Sequence, residues 1–131
     1  MLRTASVAVA ACVVLAAGGL CGCASKPAAE VSKGQMAEIR QVHGQLQPGA
    51  PRQQVLDSFK AGNKVKLGTS SVGGIDVEEW KVEAYYDEKE RKNLFVTFLY
   101  FVNGKLADSS DARIDFRSNP ELVDRWGGAT K

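Results

Sequence analysis

Cysteine is missing from everything beyond residue 23: the three that the 131-residue chain has stand at positions 12, 21 and 23. The rest of the chain therefore offers no thiol for a disulfide, a thiolate metal site or a cysteine nucleophile, even in an oxidising compartment. Histidine is nearly as scarce. His43 is the only one, which excludes a two-histidine metal site and a relay of two imidazoles. Charge of one sign is not in excess either: with Arg3 set aside from the 17 basic residues, the remainder faces 15 acidic ones and leaves a single positive charge. That balance excludes a nucleic-acid partner. No glycine-rich loop precedes a helix start, because Gly73-Gly74 joins two strand-like segments, so nothing cradles a phosphate. No internal repeat is present. From these absences no catalytic residue, no metal ligand and no cofactor is assigned.

What is present begins at the amino terminus. Arg3 is followed by an uncharged run, residues 5–20, rich in Val7, Val9, Val13, Val14 and Leu15, the positive and apolar regions of a secretory signal. The run falls short of the about 20 apolar residues of a membrane span and dilutes into Ala16, Ala17, Gly18 and Gly19. It ends in Leu20-Cys21-Gly22-Cys23, which resembles the bacterial lipobox. The resemblance implies cleavage after Gly22 and lipidation of Cys23, since cutting before Cys21 would place bulky Leu20 where a small side chain is needed. An ordinary secreted protein cut near Ala24 is the alternative. Ala24, where aspartate would signal inner-membrane retention, implies an outer-membrane, periplasm-facing address. The expected division is a signal peptide over residues 1–22, a lipidated tether over 23–33 with Pro27 and no apolar periodicity, and one small domain over 34–131.

Within that domain, Met36, Ile39, His43 and Leu46 recur at helical spacing and predict a helix over 33–43, stopped by Gly44. Pro48-Gly49-Ala50-Pro51 reads as a turn into a second helix with Val55, Leu56 and Phe59 on its apolar face, ended by Gly62. Strand signals follow over 64–69 and 77–86, where Trp80, Val82, Ala84 and Tyr86 alternate with Glu79, Lys81, Glu83 and Tyr85. Residues 87–92 form a charged hairpin tip, 94–102 the next strand, Asn103-Gly104 a tight primed turn, and 105–108 the returning strand. A further strand is expected over 112–116. Asn119-Pro120-Glu121 opens a last helix that stops at Gly127-Gly128. The sum is an α+β domain, two amino-terminal helices packed on a three- to four-stranded antiparallel sheet.

Leu46-x-x-Gly49 with Val55 and Phe59, then Trp80, Leu94-x-Val96-x-Phe98 and Phe101-x-Asn103-Gly104-Lys105-Leu106, resembles the SmpA/OmlA (BamE-like) family of small outer-membrane lipoproteins. The likeness covers residues 46–106. It departs at Lys60-Ala61-Gly62, where the family has Gly and then Pro after the helix, and near Pro51, where it has a capping Thr or Ser. The resemblance implies a two-layer domain of the BamE or β-lactamase-inhibitor-protein kind, and a non-catalytic lipoprotein that contacts an envelope protein and the bilayer through acylated Cys23. A tethered ligand-binding or inhibitor-like module is the alternative, to be favoured by a concave apolar face lined by Trp80, Tyr85 or Tyr100.

The residues themselves give little chemistry. His43 falls on the apolar side of a helix end, with no nucleophile or acid in a surrounding motif, and reads as structural. Glu78 and Glu79 are neighbours in a strand and point to opposite faces, so they cannot share a proton. In the strand over 94–102 both faces are apolar: Leu94, Val96, Phe98, Tyr100 and Val102 on one, Phe95, Thr97, Leu99 and Phe101 on the other. A two-layer domain covers only one of them. Either the carboxy-terminal segment, through Leu122, Val123 and Trp126, folds over the second face, or Phe95, Leu99 and Phe101 form a candidate partner surface.

Overall fold

The computed structural model describes residues 28–131; the signal-peptide segment, Cys23 and the tether as far as Pro27 lie outside the described residues. In chain order come β1 (Ala29–Glu30), α1 (Lys33–Gly44), α2 (Arg52–Ser58), β2 (Asn63–Val72), β3 (Ile75–Glu88), β4 (Arg91–Val102), β5 (Lys105–Ser110), a 3-10 turn (Phe116–Ser118) and α3 (Pro120–Ala129). The class is α+β.

Alternating apolar residues make β3 the spine of the sheet. β4 pairs with it antiparallel from Val77↔Val102 to Glu88↔Arg91, and β5 continues beyond β4. The other edge of β3 is shared by β2, antiparallel, and by β1, parallel through Ala29↔Ala84 and Glu30↔Tyr85. The sheet is thus mixed and five-stranded, not three- to four-stranded and antiparallel. The extra strand comes out of the expected tether: Val31 N donates to Tyr85 O at 2.8 Å, and Val31 is buried. The first strand among the described residues thus falls inside the segment 23–33 expected as tether.

Ser32 starts α1 with a capping box, its hydroxyl accepting from Gln35 N while Gln35 Oε1 accepts from Ser32 N. Met36 and Ile39, one turn apart, then reach the sheet, and Val55, Leu56 and Phe59 of the α2 segment join them. Together they cover the face bearing Val82, Ala84, Phe95 and Leu99. The connection between the helices is stitched to β5 by Gly49 N to Leu106 O and Leu106 N to Ala50 O. Asn103 and Gly104 adopt φ of +57° and +73°, the geometry of the primed turn their sequence predicts.

The opposite face carries a second core. Val77, Tyr100 and Val102 pack against Phe116, Val123 and Trp126, with the Trp126 ring stacked on Tyr100 at 5.3 Å. The helices are therefore not all amino-terminal: α3 lies on the face that two helices alone would leave bare, so the two-layer expectation gives way to helices on both sides. Phe95, Leu99 and Phe101 are only 5%, 0% and 2% exposed, so the candidate partner surface drawn from them is corrected: α1 and α2 bury it. The expected strand over 112–116 is absent; that stretch is a strap ending in the 3-10 turn. The last helix runs through Gly127 and Gly128 to Ala129. No helix among the described residues is long and apolar enough to cross a membrane.

Candidate functional site

Two adjacent glutamates of β3 organise the polar chemistry, and alternation sends them to opposite faces. Glu79 points under the strap. It is 2% exposed and accepts from Tyr100 Oη at 3.0 Å, from Arg113 Nε at 3.1 Å and from Arg113 Nη2 at 2.8 Å. Tyr100 Oη in turn accepts from Ile114 N at 2.7 Å. The forked hydrogen bonds from Arg113 hold the Glu79 carboxyl below the usual carboxylate range, against the upward push of burial. Burial, with the nearby carboxylate, pushes the Tyr100 hydroxyl up to about 12. This network fastens the strap to β3 and β4.

Glu78 points the other way, into a groove of about 730 Å³ at the end of the sheet where the β2–β3 and β4–β5 turns meet the start of α2 and the end of α3. Arg52 Nη1 donates to both of its carboxylate oxygens at 3.2 Å, Lys66 lies 3.3 Å away, and Trp80 Nε1 donates at 2.7 Å. Burial raises the Glu78 pKa, but the indole and the two cations outweigh it and hold the carboxyl below its ordinary value. Asp76, Asp124, Asn103 and Lys131 complete a rim of mixed sign over a floor that includes Ile75 and Phe101. Such a rim can bind a polar or charged segment by complementary ion pairs and hydrogen bonds. Among the described residues no three of His, Cys, Asp and Glu converge as metal ligands would.

The other residues singled out in the sequence do not assemble into this groove. His43 sits in the last turn of α1, its Nε2 3.2 Å from the hydroxyl of buried Thr97 and its ring edge-on to Phe95 at 5.5 Å. Trp80 faces α1 and α2, whereas Tyr85 and Tyr100 lie on the opposite face, so the three do not line one concave surface. Phe101 alone of the expected partner residues touches the groove, as part of its floor. Arg52, Asp76, Asn103 and Asp124 were not legible as a set, because four segments distant in sequence bring them together. Asn103, at the tip of a recognisable hairpin, carried the nearest thing to a local signal.

A different exposed region lies at the far end of β4. Leu94 is 52% exposed, and Leu94 and Val96 belong to neither core. They share a face with Tyr85 and Glu83, their partners across β3, and Lys92 Nζ sits 4.5 Å from the centre of the Tyr85 ring. Compared with protein-family models, with curated proteins and with solved structures, the chain matches none.

Proposed function

We propose that this chain is a lipid-anchored outer-membrane protein that works by protein–protein contact rather than catalysis, in envelope integrity or the assembly of outer-membrane proteins. The observation that carries this reading is Leu20-Cys21-Gly22-Cys23 at the end of an uncharged run. A BamE-like layout is part of the proposal. It is supported by two helices leading into hairpin-linked strands, with Val55 and Phe59 buried on the sheet and the Leu46-x-x-Gly49 segment joining the helices; β1 and α3 are additions to it. Contact is assigned to the groove around Glu78 and Asp124, which lies at the end of β3 away from β1.

Metabolic labelling with palmitate tests the anchor: wild type should incorporate label and Cys23→Ala should not, and equal labelling of both would overturn it. A photo-crosslinking residue in place of Asp76 or Asp124 should capture an envelope protein in intact cells, and recovery of none from either position would count against the contact reading. The size of the groove favours a second reading, a tethered module for a small polar ligand, since its volume falls within the range of ligand pockets, about 300–1,000 Å³. A ligand that raises the unfolding temperature of the purified domain, an effect lost with Arg52→Ala, would favour that reading over a protein partner.

A further inference from the structure

Resting on the lipid anchor proposed above, we infer that the open half of the sheet face around Leu94 is the surface on which the domain lies against the bilayer, with Leu94 entering the headgroup layer. The tether sets the reach. Six peptide units separate Cys23 from Ala29, so the bilayer surface lies no more than about 20 Å from the start of β1. β1 enters the sheet beside Tyr85, and Glu30, Tyr85 and Leu94 stand in one row across β1, β3 and β4. That row places Leu94 about 10 Å across the sheet from the anchored strand, well inside the tether's reach.

Composition then selects the face. The far side of the sheet is covered by α1, which presents exposed Gln35, Glu38 and Gln41, while its Arg40 reaches over Phe95 to the edge of the sheet beside Leu94 and Val96. The open side presents Leu94, the more exposed of the two large apolar side chains left open among the described residues, with Val96 beside it and Tyr85 under the ammonium of Lys92, flanked at the neighbouring register positions by Glu30, Asp87 and Glu83, the last ion-paired with Lys81. An aliphatic residue, an amphipathic ring and a cation on a long stem are what membrane–water interfaces favour. The α3 core closes the same face further along β4, at Tyr100 and Val102, so the membrane-facing patch has a defined limit. The charged groove at the opposite end of β3 is then held out into the periplasm.

The mature chain has no cysteine besides Cys23, so Leu94→Cys supplies a single labelling site once Cys23 is lipidated. The full lipidated protein, carrying an environment-sensitive fluorophore at that site, is reconstituted in phosphatidylethanolamine–phosphatidylglycerol vesicles with brominated acyl chains. The label at position 94, and likewise with Val96→Cys, should be quenched by the bromines several-fold more than the same label in Gln54→Cys on α2. Equal quenching by aqueous iodide at positions 94 and 54 would overturn the inference. So would a label shielded from iodide but untouched by the bromines, since a second copy or another protein would then cover the face. Flotation with vesicles separates the two levels: wild type that does not float better than Cys23→Ala overturns the anchor and this inference with it, whereas labelled Leu94→Cys that floats but is not quenched by the bromines overturns this inference alone.

Discussion

Glu79 and Tyr100 stand directly opposite each other on β3 and β4, and the hydrogen bond between their side chains is the base on which the strap from residue 111 to 116 is fastened. Tyr100 Oη takes the Ile114 amide, and Arg113 forks onto Glu79. Every polar group in this buried cluster has its partner, which matters because an orphaned buried group costs more than a made hydrogen bond gains. Tyr100→Phe removes the hydroxyl from both the carboxylate and the Ile114 amide, and Arg113→Ala removes the guanidinium that forks onto Glu79. Each is expected to lower stability by about 1–3 kcal/mol in urea unfolding, the Arg113 figure being held down by solvent screening of its exposed side chain. The double variant should lose less than the sum, because both act on one carboxylate.

The same cluster makes stability depend on pH at both ends. The folded-state pKa of Glu79 is depressed, chiefly by Arg113, so its contribution is complete above the unfolded value of about 4.3 and is lost as pH falls through the folded value. Tyr100 has the opposite sign: raised to about 12 by burial, it contributes below the unfolded value of about 10 and loses that contribution as pH climbs toward its folded value. Urea midpoints measured across pH should fall at both limits. Glu79→Gln should flatten the acid limb and Tyr100→Phe the alkaline one.

The two faces of β4 should answer differently to truncation. Trp126→Ala strips the stacked ring from Tyr100 and opens the second core, at an expected cost of about 3–5 kcal/mol. Leu99→Ala, beneath α1 and α2, should cost about 2–5 kcal/mol. Leu94→Ala should change stability by no more than about 0.5 kcal/mol, since the side chain is in neither core. Thermal unfolding of the three variants checks the order, and a large loss at Leu94 would mean that something in the chain packs on it.

These faces also mark what could be read from the sequence. Helix periodicity at Met36 and Ile39, strand alternation from Trp80 to Tyr86 and the Asn103-Gly104 turn all rest on local rules, and each appears where those rules put it. The opposed directions of Glu78 and Glu79 followed from strand geometry alone. The strap did not: Ala112 to Phe116 looks like a short strand, but its backbone is held by side chains, Tyr100 taking the Ile114 amide, and it pairs with no strand among the described residues. The strand at Ala29–Glu30 was hidden because its pairing is set by Ala84 and Tyr85, more than fifty residues away. The same non-locality hid the groove.

Gly127 and Gly128 resemble a helix stop, yet the helix passes through both, and a Cβ on each meets different surroundings. On Gly127 it would lie 2.8 Å from Ile75 Cδ1, whereas on Gly128 it meets nothing within 4 Å. Gly128→Ala should therefore stabilise by about 0.5 kcal/mol through helix propensity. Gly127→Ala should give no such gain by itself, because Ile75 must move. Adding Ile75→Val, which trims the clashing methyl, should make the second substitution cheaper in the Gly127→Ala background than in wild type, a coupling read from a double-mutant cycle of urea midpoints.

The direction of β1 has a mechanical side. Because Ala29–Glu30 is paired alongside β3, a pull on Ala29 directed along the strand axis and away from Val31 would load its hydrogen bonds to β3 together in shear instead of peeling them one after another. Buried Val31 and the capped start of α1 at Ser32 stand immediately behind those bonds, as a knot stands behind a short seam.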